Sequence, residues 1–212
     1  MVASSAFLLA PESSAQPTAA PAPGTNALPA FDVKTVGEAA GGLGTFDRAY
    51  VTLGTNKAAF LVPKGYQLRV QPQQWTATLS EPDGRDYIIM RCYGPRPGPP
   101  PPAGQPPREP DAESCETILL QRHPNSKVTD KFSMKVADAP GQAFELALRN
   151  SLGEPQLARA VFIPALASVV EFEMVGLAKS FDQSRAVLNS VLVTFRLAKD
   201  GKLEIAPVSD KI

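Results

Sequence analysis

The sequence predicts an α+β fold, specifically an α/β/α sandwich in which a central, mainly antiparallel sheet of about six strands is flanked by helices. Three observations predict it. Four stretches with strand-like alternation follow one another between residues 131 and 177. Helical periodicity occurs twice, after Asp111 and after Ser180. With 212 residues, 43% of them hydrophobic, the chain can build the core of one domain, which we assign to residues 43–198.

The first part of the chain has the composition of a leader. Residues 1–42 combine a short apolar run with small residues and an Ala/Pro-rich stretch, so we expect no fold there. The apolar run and its small-residue exit are typical of a signal peptide, but the usual basic start is missing. The segment is therefore either a truncated export signal, which makes the protein periplasmic or secreted, or a disordered leader of a cytoplasmic protein. Residues 199–212 are interpreted as a tail.

Ordered structure is predicted to begin near Thr55. The stretch "KAAFLVPKGYQLRV" indicates a strand stopped by Pro63, with a turn at Gly65. The stretch "WTATLSEPDGRDYIIMRCY" predicts a hairpin around Pro82-Asp83-Gly84. Its second strand is apolar on both faces, which is typical of an interior strand covered from two sides.

The second half of the chain alternates between helix and strand signals. Asp111 is the expected cap of a helix that ends before Pro124. Strands are predicted at 131–137, 142–149, 157–163 and 169–177, with turns at Pro140-Gly141 and Pro164. Ser180 and Gln183 fit a capping box for the last helix. Its apolar stripe, which should lie on the sheet, comprises Ser184, Val187, Leu188, Val191 and Leu192.

Three of these stretches resemble the PsbP-like fold family over residues 55–198. They are "AAFLVPKGYQLRV" with its P-x-G-aromatic turn, the hairpin "WTATLSEPDGRDYIIM" and the closing helix "KSFDQSRAVLNSVLVTFRL". The family is named for an extrinsic protein of the photosynthetic oxygen-evolving complex, and it includes DcrB-like envelope proteins and a Ran-binding import factor. The resemblance implies an assembly, chaperone-like or accessory role. It implies no active site, because the fold is not tied to one.

Composition excludes several classes of function. Lys+Arg and Asp+Glu are equal at 21 each, so no basic surface is expected to bind nucleic acid. No apolar stretch reaches the length of about 20 residues that a membrane-spanning helix needs. One histidine, His123, and two distant cysteines do not have the spacing of a metal site, and no cofactor motif is present.

Few residues are candidates for chemistry. His123 is interpreted as an exposed residue that closes a helix. Glu171 and Glu173 share one face of a strand whose other face is apolar, and we expect them to be solvated rather than catalytic. The sequence therefore predicts a non-enzymatic protein.

Cys92 and Cys115 bracket the insertion between the hairpin and the first helix. If the chain is exported, a disulfide between them would close a loop of about 24 residues and contribute roughly 3 kcal/mol. In a reducing compartment both would be buried thiols. The sequence leaves both alternatives open.

The insertion itself, residues 94–110, is proline-rich and includes four consecutive prolines. Such a run favours polyproline II and cannot join a sheet or helix. Arg96, Pro99 and Pro102 have the R-x-x-P-x-x-P spacing that aromatic grooves recognise. The tract is therefore either a docking arm for a protein partner or an inert insertion.

Two functions follow from these observations. The first is a non-enzymatic accessory or assembly protein that binds a protein partner. The alternative is a small-molecule or lipid binder, or an orphan enzyme, with a cleft between sheet and helices lined by Trp75, Tyr87 and Phe172.

Overall fold

The computed structural model describes residues 30–39, 44–84, 86–93, 111–165, 168–199 and 202–204. Within these ranges the chain forms eleven strands and two α-helices. They are β1 (Phe31–Ala39), β2 (Thr45–Leu53), β3 (Asn56–Leu61), β4 (Gln67–Gln71), β5 (Thr76–Ser80), β6 (Tyr87–Tyr93), α1 (Ala112–Arg122), β7 (Lys127–Val136), β8 (Ala139–Arg149), β9 (Pro155–Ala165), β10 (Ser168–Leu177), α2 (Phe181–Thr194) and β11 (Arg196–Leu197).

The strands form two antiparallel sheets rather than the single predicted one. The large sheet has seven strands in the order β4-β5-β6-β10-β9-β8-β7, and the small sheet has four in the order β1-β2-β3-β11. The α+β class with antiparallel pairing is confirmed, but the single central sheet of about six strands is wrong. Two strands of the small sheet, β1 and β2, precede the region from which the strand count was predicted, and β3 pairs with β2 rather than with the large sheet.

The predicted start of the fold is also wrong. β1 lies inside the segment 1–42 that was interpreted as an unfolded leader, and β2 precedes Thr55. β1 belongs to the fold because it pairs along its whole length with β2 and buries Phe31 and Val33 in the core. Beyond Val33 the strand is mostly exposed, which explains why its sequence gives little alternation signal.

The central hairpin is confirmed. β5 pairs with β6, and the amide of Gly84 donates to the carbonyl of Glu81 at 3.0 Å, with φ of +67° at Gly84. The turn after β3 is also present, with the amide of Tyr66 bonded to the carbonyl of Pro63 at 3.0 Å. These turns form as predicted because glycine tolerates positive φ and proline fixes its own.

Two predicted turns lie inside strands instead. Pro140-Gly141 is part of β8 and Pro164 is part of β9. The turn between β7 and β8 is made by Ala137 and Asp138, both with positive φ, at 50° and 64°. Two consecutive residues with positive φ suit the twist of a tight hairpin, so the strand pairing imposes on Ala137 a conformation that alanine does not favour, whereas aspartate tolerates it at position 138.

Two hydrophobic cores lie on opposite faces of the large sheet. The main core joins this sheet to the small sheet and to α2. The second, which we call the α1 core, lies between the other face of the sheet and α1 and includes Cys115, Leu119, Phe144 and Phe162. Strand β6, near the centre of the large sheet, is therefore covered on both faces, as its two-faced apolar pattern predicted.

The two helices begin at the predicted residues. Asp111 caps α1, since its carboxylate accepts from the amide of Ser114 at 2.9 Å. The prediction of a capping box at the start of α2 is wrong. Ser180 makes no side-chain cap, and its hydroxyl donates instead to the carbonyl of Leu177 at 3.4 Å. The chain enters α2 directly from a 3-10 turn, Ala178–Ser180, which already sets the direction of the helix.

Candidate functional site

Of the two alternatives that the sequence left open for Cys92 and Cys115, the structure shows two buried thiols and no disulfide between them. Cys92 points into the main core with the alternate residues of β6, whereas Cys115 packs in the α1 core. The large sheet lies between them. The sequence placed both residues beside the insertion, but the alternation along β6 directs Cys92 away from α1.

The predicted cleft residues are not brought together either. Phe172 is fully buried in the main core, and Trp75 packs at its edge. Tyr87 lies on the opposite face of the sheet, against the α1 core. These three side chains therefore do not line one cleft. Arg96, Pro99 and Pro102, the predicted docking residues, lie outside the described residues, and their role stays a prediction.

Glu171 and Glu173 are buried, contrary to the prediction of a solvated face. Their relative exposures are 0% and 1%. They lie on β10, in the interior of the large sheet between β6 and β9, on the face that α1 covers. The residues that compensate their charge come from β6 and from the C-terminal end of α1. We call Arg91, Tyr93, Arg122, His123, Glu171 and Glu173 the buried ion cluster.

Each carboxylate oxygen of the cluster has a partner. Arg122 Nη1 donates to Glu171 Oε1 at 2.6 Å and to Glu173 Oε2 at 2.8 Å. Arg91 Nη1 donates to Glu173 Oε2 at 2.5 Å. The hydroxyl of Tyr93 donates to Glu171 Oε2 and accepts from Arg122 Nη2. Two arginines thus balance two glutamates in a closed network.

His123 completes this network. It follows α1 at the predicted position, but it is not the exposed residue that was expected, since its side chain is 20% exposed. Its Nε2 lies 2.5 Å from Glu173 Oε1. Together with Arg122 it fixes the end of α1 to the sheet.

The cluster shifts the pKa values of Glu173, Tyr93 and Arg122. Burial raises the pKa of Glu173, but the hydrogen bond from His123 and the charges of Arg91 and Arg122 outweigh it and hold the pKa at about 2. Burial and then Glu171 raise the pKa of Tyr93 above its usual range. For Arg122, burial lowers the pKa, and the two glutamates more than compensate and raise it. A carboxylate with so low a pKa is poorly suited to general acid or base catalysis near neutral pH.

Sequence reasoning missed this cluster although a signal for it was present. The two-faced apolar pattern of β6 indicated that both faces of the sheet are covered. A strand beside β6 that carries glutamates on a covered face must bury them and supply them with partners. Arg91 lies on β6 directly opposite Glu171 of β10 and is such a partner.

A second feature is a recess at one end of the large sheet, with a volume of about 270 Å³. It opens between the β5–β6 turn and the first turns of α2. Its polar lining includes Tyr66, Glu81, Asp83, Asp86, Lys179 and Ser184. We call this recess the acidic cleft, because three carboxylates face one lysine among these residues.

The groups of the acidic cleft are partly bonded to one another. The hydroxyl of Ser184 donates to Oδ2 of Asp86. Burial, followed by the charges of Glu81 and Asp86, raises the pKa of Tyr66 to about 12, and a hydrogen bond to Glu81 contributes to the rise. Tyr66 is therefore a neutral phenol at physiological pH.

Within the described ranges, no helix is long and apolar enough to cross a membrane. The same residues contain no group of three or more His, Cys, Asp or Glu side chains placed to hold a metal ion.

The two sheets, with helices on both sides of the larger one, define an α+β protein of PsbP-like fold. The solution structure of cyanobacterial PsbP (CyanoP) from Synechocystis sp. PCC 6803 matches with a TM-score of 0.51 and 7% sequence identity. The match covers 82% of this chain and 96% of CyanoP. The resemblance found in the sequence is therefore confirmed at the level of the fold.

Two other solved structures are more loosely similar. One is a Pseudomonas aeruginosa protein of unknown function, described as a putative regulator, with a TM-score of 0.39, 12% identity and coverage of 64% of this chain and 88% of that one. The other is LpqN, involved in cell envelope biogenesis of Mycobacterium tuberculosis, with a TM-score of 0.39, 8% identity and coverage of 79% and 92%. The sequence matches no protein-family model and no curated protein.

Proposed function

We propose that this chain is a non-enzymatic accessory or assembly protein that binds a protein partner through its PsbP-like scaffold. The observation that carries the proposal is the closed buried ion cluster. Its four carboxylate oxygens are all bonded within the cluster, and a pKa of about 2 keeps Glu173 ionised. The largest assembly of ionisable groups among the described residues thus anchors a helix to a sheet rather than serving a reaction.

The scaffold supports binding in a second way. Both faces of the large sheet are packed against other elements, so its edges, the outer surfaces of the covering elements and the acidic cleft are the surfaces left for a partner to contact. The PsbP-like resemblance implies the same kind of role, in which a stable domain presents a surface to a partner. We also propose export to the periplasm or beyond, which the apolar run and small-residue exit of the leader support.

The alternative of a lipid or apolar small-molecule binder has less support. Its proposed lining, Trp75, Tyr87 and Phe172, is divided between two faces of the sheet. The acidic cleft is charged and, at about 270 Å³, smaller than the typical site of a drug-sized ligand, roughly 300 Å³ or more. A thermal-shift screen that found strong stabilisation by one class of lipid would favour the alternative.

The test is site-specific photo-crosslinking in native cells. A photo-reactive residue is placed, one variant at a time, at Val36 on β1, Leu152 in the β8–β9 turn and Val193 on α2, which are exposed at 48%, 83% and 71%. A partner that docks on one surface crosslinks from some of these positions and not from others. Equal crosslinking from all three, or none from any, would contradict the proposal.

The same experiment in a chain lacking residues 94–110 tests the docking arm. If the crosslinked partner is retained, recognition lies on the folded scaffold. If the partner is lost while the variant keeps its melting temperature, the proline-rich tract takes part in docking. Subcellular fractionation with N-terminal sequencing tests export, and a protein found only in the cytoplasm with its leader intact would rule export out.

A further inference from the structure

We propose that the chain forms a two-fold symmetric dimer in which strand β1 pairs with β1 of a second copy. This contact is separate from the accessory partner of the proposed function, because it joins copies of this chain to each other. A two-fold contact brings one surface patch against itself, so that patch must be complementary to itself. The paired strands would join the two small sheets into one continuous antiparallel sheet.

Strand β1 presents a long edge for such pairing. Among the described residues it pairs only with β2, over nine residues without a break in register. The amide of Gly54 donates to the carbonyl of Ala30 at 2.9 Å, which continues the same ladder by one pair. Hydrogen-bonded pairs alternate along an antiparallel ladder. The backbone N–H and C=O groups of Val33, Thr35 and Gly37 therefore point away from β2, toward the open edge.

The other sheet edges in the described part of the chain carry features that discourage strand pairing. Strand β7 has a shift in register between Val128 and Asp130, and it carries exposed lysines at Lys127, Lys131 and Lys135. Strand β4 has five residues and β11 has two. Bulges, lysines and short strands are the usual protection of an edge. The longer and unbroken β1 lacks these features apart from one lysine, so it is the edge best suited to accept a strand.

Charge selects one register for the second copy. Facing residues of an antiparallel pair direct their backbone groups alike, so a two-fold pairing must be centred on a residue. Centring on Lys34 sets two lysines opposite each other, and centring on Thr35 sets Asp32 opposite Glu38. Centring on Val36 sets Lys34 of each copy opposite Glu38 of the other. Opposite charges across a strand pair are stabilising and like charges are destabilising, which favours the register centred on Val36.

The side chain at that centre also suits contact between copies. Val36 is 48% exposed and lies on the outer face of the small sheet, since Phe31 and Val33 on the alternate positions face the core. In the proposed register Val36 occupies a non-hydrogen-bonded pair, the kind in which side chains approach most closely. The two valines would therefore shield each other from water.

The charged residues have partners within the chain that leave them accessible to a second copy. Glu38 Oε1 accepts from Arg48 Nε and from the hydroxyl of Tyr50, both at 2.8 Å, and its side chain is still 28% exposed. A carboxylate can accept further donors. Lys34 lies 3.4 Å from Asp32, with side chains 78% and 56% exposed. An exposed ion pair of this kind contributes little, so Lys34 can exchange it for Glu38 of the second copy.

Cysteine crosslinking of the full chain tests the register. Two copies of Val36→Cys would have Cα atoms about 4.5 Å apart, which a disulfide can bridge. Two copies of Thr35→Cys would be offset by two residues along the strands, so this exposed neighbour is the matched control. We expect Val36→Cys to form a disulfide-linked dimer under mild oxidation much faster than Thr35→Cys or the wild type, whose own cysteines are buried. Equal rates for the two variants would overturn the proposal.

Sedimentation equilibrium measures the dimer without a crosslink. We expect the average mass of the wild-type chain to rise toward twice that of the monomer as concentration increases. Lys34→Glu sets like charges opposite Glu38 and should weaken the dimer about tenfold. Lys57→Glu, the same change at an exposed lysine of β3, is the matched control and should leave it unchanged. A wild-type chain that stays monomeric, or equal weakening by both variants, would overturn the proposal.

Thr35→Pro tests the backbone contact. It removes an N–H that faces the open edge and that β2 does not use, and proline is tolerated at such positions of an edge strand. We expect the variant to lose the dimer and to melt close to the wild type at concentrations where both are monomeric. A folded variant that still forms the dimer would place the contact elsewhere. If the variant does not fold, Lys34→Glu decides.

Hydrogen exchange separates a second copy from other occupants of the edge. The amides of Val33, Thr35 and Gly37 should become more protected as the concentration of the chain increases. Protection that does not depend on concentration would assign the edge to a segment of the same chain, and protection only in the presence of another protein would assign it to that protein. Either result would overturn the proposal.

The dimer and the proposed function can fail separately. In the photo-crosslinking experiment, a product from Val36 with twice the mass of the chain would support the dimer. Such a product together with no crosslink to another protein would contradict the accessory function and leave the dimer standing. A crosslink to another protein from a chain that stays monomeric at every concentration would do the reverse.

Discussion

Glu173 is the residue whose charge the fold depends on most directly. It is almost completely buried and accepts from Arg91, Arg122 and His123. Replacing it with Gln would leave the two arginines facing one carboxylate, Glu171. We expect Glu173→Gln to lower the free energy of unfolding at neutral pH by about 3–5 kcal/mol, the usual effect of breaking a buried ion pair. Urea denaturation measures it, with Asp32→Asn as a surface control.

The same residue gives the protein a defined acid sensitivity. The pKa of Glu173 is about 2 in the folded state and about 4.3 in the unfolded chain. Because the folded-state pKa is depressed, its stabilisation is complete above the unfolded value and is lost as the pH falls from about 4 to about 2. Wild type should lose more stability over this interval than Glu173→Gln. Identical losses in both proteins would show that acid acts elsewhere.

Cys92 shows how strand alternation decides the chemistry of a side chain. Burial raises the pKa of its thiol to about 12, so almost no thiolate is present at pH 8. We expect iodoacetamide to label Cys92 much more slowly in the folded protein than in urea, as measured by peptide mass mapping. Rapid labelling of the folded protein, or recovery of a peptide that joins Cys92 to Cys115, would contradict the structure.

At the scale of elements, the packing of β8 against β9 depends on one glycine. A Cβ atom at Gly141 would lie 2.8 Å from Ile163 Cγ2 and 2.9 Å from the carbonyl oxygen of Phe162. Both contacts are too short, and one is with backbone that cannot move independently. We expect Gly141→Ala to lower the free energy of unfolding by about 1–3 kcal/mol.

Gly37 on β1 is the matched control for that substitution. The nearest atom to a Cβ there is Thr45 Cγ2 at 3.6 Å, an ordinary contact distance. Gly37→Ala should therefore be neutral or slightly stabilising by chemical denaturation. Equal destabilisation by both alanines would mean that glycine matters at these positions for a reason other than packing.

For the molecule as a whole, Phe172 connects the layers of the main core. Its ring centroid lies 5.9 Å from that of Phe60 on β3 and 5.2 Å from that of Phe195, which follows α2. We expect Phe172→Ala to lower the free energy of unfolding by about 3–5 kcal/mol, since the cavity would open where the two sheets and α2 meet.

The shared core also predicts a single unfolding transition. Trp75, the only tryptophan, packs at the edge of the main core, so its fluorescence reports on that core. Its transition should coincide with that of far-UV circular dichroism, which reports on all elements. Separate midpoints would show that the small sheet unfolds independently of the large one.

The sequence by itself determined the features that depend on neighbours along the chain. The hairpin around Gly84, the helix capped by Asp111, the four strands from β7 to β10 and the helix α2 follow from periodicity and from turn and capping residues, which act over a few positions. The resemblance to PsbP-like proteins depended on the same local patterns and predicted the fold correctly. For these features, the local patterns of one sequence were sufficient for the prediction.

Tertiary structure decided everything that depends on what covers a surface. Residues Glu171 and Glu173 have the alternation of a solvated face, and only the packing of α1 turns them into buried ions. Strand β1 is mostly exposed and was missed because pairing with β2, rather than its own pattern, makes it a strand. The acidic cleft combines residues from distant parts of the chain, such as Tyr66, Asp86 and Ser184. Periodicity reports which side chains share a face, whereas burial, charge compensation and recesses depend on the partner of that face, which lies far away in sequence.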